Sequence, residues 1–86
     1  MSTLKSEVKT IRVPVQLPIF DRAVELAETL AANAFGIDED GHPADRKFPR
    51  SQTALCVEFE KFYARSGCGG GSYVFIFKAF LERTDD

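Results

Sequence analysis

Histidine occurs once in the 86 residues and cysteine twice, which removes most metal and nucleophile chemistry at the outset. The lone His42 sits between Gly41 and Pro43, a solvated loop setting. Cys56 and Cys68 lack the paired spacing of a thiolate metal site, and one histidine cannot complete one. No apolar run approaches a membrane span. MSTLKSEVKT has no apolar core of the kind a signal peptide needs, so a reducing cytoplasm with both thiols free is the expectation. Charge of one sign is also scarce: the net charge is −2, so no global field draws the protein to nucleic acid or to an anionic membrane.

What is present is an ordinary globular composition, 44% apolar with eight phenylalanines, so a few large rings must dominate the core. The length suits one domain. Residues 1–8 are polar and expected to be disordered, residues 9–82 to form the domain, and residues 83–86 a loose tail.

From Lys9 the period is two. Ile11, Val13, Val15 and Leu17 face one way, while Arg12, Pro14 and Gln16 face the other, as in a half-buried strand. Pro14 has no N–H and belongs on an edge or at a non-bonded position. Pro18 then opens an amphipathic helix with Phe20, Ala23, Val24, Ala27, Leu30, Ala31 and Ala34 on one side and Asp21, Glu25 and Glu28 on the other. Gly36 is its stop signal. Ile37 to Pro49 reads as a long mixed-charge loop with Phe48 anchoring its end.

Ser51 reads as the N-cap of a second helix carrying Leu55, Cys56, Phe59, Phe62 and Tyr63 on an apolar stripe and ending at Gly67. After the glycine turn SGCGGGS, the run YVFIFKAFL is a strand apolar on both faces, hence central in a sheet or covered twice. The expected fold class is α+β, a small β-α-α-β domain. Two antiparallel helices pack on short strands, with the sheet completed by homodimerisation.

No constellation of catalytic residues emerges. The acidic loop Asp38, Glu39, Asp40 and Asp45 lacks calcium-loop spacing. GCGGGS lacks the lysine of a phosphate loop and precedes a strand. The aromatics of residues 75–80 read as core. The expectation is a non-enzyme without cofactor or metal.

IRVPVQLP with its following helix, and then PRSQTALCVEFEKFYAR, resembles the ribbon-helix-helix superfamily of dimeric DNA-binding proteins. That resemblance implies a homodimeric transcriptional regulator whose paired strands enter the major groove. It implies Arg12 and Gln16 as base readers, and Ser51 and Gln52, helped by Arg50, as phosphate holders at the second helix N-terminus. Arg12 and Gln16 also fit the solvent face of an edge strand. The alternative from the residues themselves is a small protein-interaction module, an inhibitor or adaptor that blocks the surface of a partner protein. The acidic pI, the long loop and the apolar last strand point that way.

Overall fold

A computed structural model describes residues 2–65 and 72–85. The elements are β1 (Ser2–Lys5), β2 (Lys9–Val15), α1 (Phe20–Ala34), a 3₁₀ turn (Arg50–Gln52), β3 (Thr53–Arg65) and β4 (Ser72–Asp85). β4 is the axis of one antiparallel sheet. β3 runs along one side of it, while β2 and β1 lie end to end on the other. Ser6 seals the joint between β1 and β2. Its amide donates to the Leu81 carbonyl at 2.9 Å, and its Oγ accepts from the Leu81 amide at 2.8 Å.

YVFIFKAFL holds the centre of the sheet, as its pattern implies; α1 covers one of its apolar faces, and Val74, Ile76 and Phe80 on the other are buried as well. Phe75, Phe77 and Ala79 point toward α1 and form the core with Ile11, Val13, Ala23, Ala27 and Ala31. The three helix alanines, at i, i+4 and i+8, are fully buried and let the helix axis approach the sheet closely. α1 lies mainly over β2, with smaller contacts to β3 and β4.

α1 ends as Gly36 implies. The Gly36 amide donates to the Asn33 carbonyl and the Ile37 amide to that of Ala32, a Schellman pair made possible by a φ of +66° at Gly36. The following loop is held by its own turns. The Asp38 carboxylate accepts from the amides of Asp40 and His42, that of Asp45 accepts from Lys47, and Phe48 is buried.

The β-α-α-β expectation is overturned. The described residues form a mostly-β domain with four strands and one α-helix, and the four strands make one sheet within a single chain. Residues 53–65, read above as the second helix, form the longest partner of β4. The cause is a β-bulge. Phe59 pairs with Phe77 but Lys61 with Ile76, so Glu60 is an extra residue. Before the bulge Leu55, Val57 and Phe59 face α1; after it Phe62 and Ala64 do. The phase slip places Leu55, Phe59 and Phe62 at i, i+4 and i+7, a helical spacing produced by two strand segments out of step. Residues 2–5, expected to be disordered, pair as β1 with residues 82–85, so the tail also lies in the sheet as far as Asp85. The expected helix stop at Gly67 falls outside the described residues.

Candidate functional site

The sheet has two faces, and each is partly uncovered. On the α1 side, the helix leaves β3 largely bare. Phe20, Phe59 and Phe62 stand 47%, 48% and 44% exposed. They are nonetheless ordered into one aromatic array. Phe20 meets Phe59 edge-on at 5.4 Å, Phe62 packs on Phe75 at 4.8 Å, and Phe62 stacks on Tyr73 at 5.6 Å. The result is a one-sided trough, an exposed shelf of rings bounded along one side by α1.

On the opposite, open face no described helix lies, yet Val74 is only 1% exposed. Its cover is local. Pro14 and Tyr63 flank it in register, and Arg12 reaches across β4 so that its Nη2 donates to the Tyr63 hydroxyl at 3.2 Å. Long polar side chains here shield apolar atoms with their stems. Farther along, Lys78 pairs with Glu60 at 3.7 Å, and Lys5 pairs with Glu82 at 4.0 Å while lying over the Phe80 ring.

The residues singled out from sequence divide between two ends of the molecule. Arg12 is on the open face. Gln16 lies just past β2, beside a shallow depression shared with Leu17, Ile19, Arg22 and Leu26. Arg50, Ser51 and Gln52 form the 3₁₀ turn, closed by the Gln52 amide donating to the Pro49 carbonyl. No α-helix starts there, so the helix-end phosphate site implied by the resemblance does not form. Arg12 pairs with Ile76 and Thr53 with Arg83, seven residues apart on β4, or about 23 Å. The two groups therefore do not share a surface. Sequence reading missed Lys61, Tyr63 and Arg65. Their alternation was legible in KFYAR, but only the extra residue at position 60 sets it in phase with the strand before it.

Among the described residues, no cluster of three or more His, Cys, Asp or Glu side chains converges on a point. Burial, with Glu82 and Glu58 nearby, pushes the Cys56 thiol above its ordinary range, so it stays protonated and poorly nucleophilic. Cys68 lies outside the described residues. A cleft of about 610 Å³ between the β1–β2 joint and the end of α1 is lined by Lys9, Phe35 and Phe48 among others. Of the lysines that line it, Lys9 is engaged structurally: its Nζ donates to the Ala34 carbonyl at 2.9 Å and lies over the Phe35 ring, beside the negative end of the helix dipole. No helix of the described residues is long and apolar enough to cross a membrane. Comparison of the chain with protein-family models, curated proteins and solved structures finds no match.

Proposed function

We propose that this domain is a protein-interaction module that works by binding alone, and that its trough receives an amphipathic helix from a partner protein. One observation carries this reading: Phe59 and Phe62 share the face of the core yet remain about half exposed. They extend the hydrophobic core beyond the edge of the helix that covers it.

The dimensions favour a helix. Leu55 to Phe62 span the β4 positions Leu81 to Phe75, about 20 Å, which matches roughly 13 helical residues. A helix about 10 Å across covers two strands, and α1 uses the β2 side of the sheet. The three exposed rings leave roughly 280 Å² of aromatic surface, well under the ~800 Å² per partner of a standard interface. That area suits a single docked segment. A second copy laid face to face would press its own α1 back against the rings, and that back carries Glu25 and Thr29, both exposed. Around α1 from Phe20 and Val24 come Glu28 and Asp21, also exposed, so the wall of the trough is acidic. The partner helix accordingly carries Lys or Arg beside its apolar stripe.

The test is a photocrosslinking residue at position 62, followed by mapping of the captured peptide. The expected product is a basic amphipathic segment whose synthetic peptide binds the domain and loses affinity on Phe59→Ser. Capture of a second copy of this chain, or peptide binding indifferent to Phe59→Ser in a variant with unchanged circular dichroism, would refute the proposal.

A further inference from the structure

The open face carries a second surface, independent of the trough. We infer that the end of this face between β2 and β3 binds single-stranded nucleic acid, with Arg12, Lys61 and Arg65 on its phosphates. The sheet register brings them together. Arg12 and Lys61 flank Ile76, and Arg65 stands opposite Ser72. Arg12, Pro14, Arg65 and Val74 line a depression of about 320 Å³.

Among the described residues the charge at this end is uncompensated. The acids of β3 on the same face serve Lys78: Glu60 by its ion pair and Glu58 by direct register. Among the described residues Lys61 and Arg65 have no ion-pair or hydrogen-bond partner, and Arg12 has only the neutral Tyr63 hydroxyl. A chain of net charge −2 thus keeps three cations side by side on one surface. The Tyr63 bond holds the Arg12 guanidinium across β4 and leaves most of its fork of donors free. A fork of that shape matches a phosphate with two parallel bonds.

The geometry selects a strand over a small anion or a duplex. From the position of Arg65 to that of Arg12 and Lys61 is four residues of β4, about 13 Å, a line of charge longer than one phosphate. The depression is open to solvent and spans β2, β4 and β3, so a chain can lie across it. Beside the cations, Tyr63 and Pro14 flank buried Val74 and give an apolar platform on which a base can stack. A duplex groove needs a protruding element, whereas Arg12 lies flat.

The probe is a fluorescein-labelled dT12, its anisotropy followed from 50 to 300 mM salt at about 1 μM to 1 mM protein. The expected result is binding whose logarithm falls linearly with the logarithm of salt. Arg12→Gln and Arg65→Gln should each flatten that slope by about 0.7, the release from one single-strand phosphate contact. Tyr63→Leu should weaken binding about tenfold with the salt slope retained. Arg46→Gln, in the exposed loop, should change nothing. Each variant is checked by circular dichroism. Absence of binding at 50 mM salt, slopes indifferent to Arg12 and Arg65, or tighter binding of the matching duplex would overturn the inference. So would full competition by equimolar pyrophosphate, which would identify a free phosphate anion as the ligand.

Discussion

Deleting Glu60 is the sharpest perturbation of this fold, because the bulge makes an unusual demand. Phe59 already pairs with Phe77 and Lys61 with Ile76, so removing the residue between them leaves every pairing in place. Phe62 still faces α1, and Tyr63 still faces Arg12. The deletion loses the 3.7 Å ion pair with Lys78, a half-exposed contact whose contribution is about 0–1 kcal/mol. It also spares the folded state one unpaired residue, whose ordering costs about 1–2 kcal/mol. The second effect is the larger, so stability should hold or rise by up to about 2 kcal/mol, each 1 kcal/mol being about 4–8 °C in Tm for a domain of this size. Deletion of Val57 is the matched control. It too would straighten the strand, but Glu58 would then pair with Ala79 and Glu60 with Phe77, both on the core face, while Phe59 moved to the open one. Burying carboxylates among Phe20, Phe75 and Phe77 should cost several kcal/mol. Thermal and urea unfolding of the two variants decide the matter. Equal destabilisation by both would refute the bulge, since a helix over these residues would suffer from either deletion alike.

Other substitutions probe single features. Gly36→Ala should cost about 1–2 kcal/mol from the left-handed backbone alone, and more because its Cβ would stand 2.8 Å from that of Ala44; Ala44→Gly should return only the second part in a double-mutant cycle of denaturation midpoints. Phe77→Ala, at a side chain 1% exposed, should cost about 3–5 kcal/mol by urea titration. Phe59→Ala, half exposed, should cost less than half as much by the same titration. The amide of His42, with help from those of Asp40 and Gly41, holds the Asp38 carboxyl below its ordinary range. Its folded pKa is lower than its unfolded one, so its contribution to loop order is complete above the unfolded value and is lost as pH falls through the lowered one. An NMR titration of the His42 amide should follow that transition below the ordinary carboxylate range, and Asp38→Asn should abolish it.

The first half of the domain was legible because its local signals agree with its tertiary role. Ile11 and Val13 alternate with Arg12 and Pro14, Ala23, Ala27 and Ala31 repeat every four residues, and Gly36 supplies the positive φ that closes the helix. The central place of β4 was likewise written in its two apolar faces. β3 was not legible, since TALCVEFEKFYAR mixes good helix formers with strand formers and its bulge mimics a helical stripe. What decides its state is non-local: Phe59 and Phe62 gain ring contacts with Phe75 and Phe77, which lie more than a dozen residues away in sequence. The same error hid the candidate surfaces. A helix over residues 53–65 would have kept Arg12 apart from Lys61, Tyr63 and Arg65, and would have buried the rings that the sheet leaves bare.

The placement of the bulge also bears on the proposed binding through the faces of the sheet. Among the described residues both outer edges of the sheet are unpaired, and each carries a feature that discourages strand addition. On β2 it is Pro14, which has no N–H to offer. On β3 it is the bulge, with Glu58, Glu60 and Lys61 around it. The bulge therefore does two things at once. It interrupts the ladder a foreign strand would need, and it turns Phe62 back to the core side after Phe59. The sheet is guarded along its edges and open on its faces, which is the arrangement expected of a domain that binds by face contact. Deletion of Glu60 separates these roles, since it leaves the faces intact and removes the interruption. A variant that keeps its fold but becomes aggregation-prone, with β-rich oligomers seen by light scattering and infrared spectroscopy, is the expected outcome. A variant that stays monodisperse would assign the protection of that edge to Glu58 and Lys61 alone.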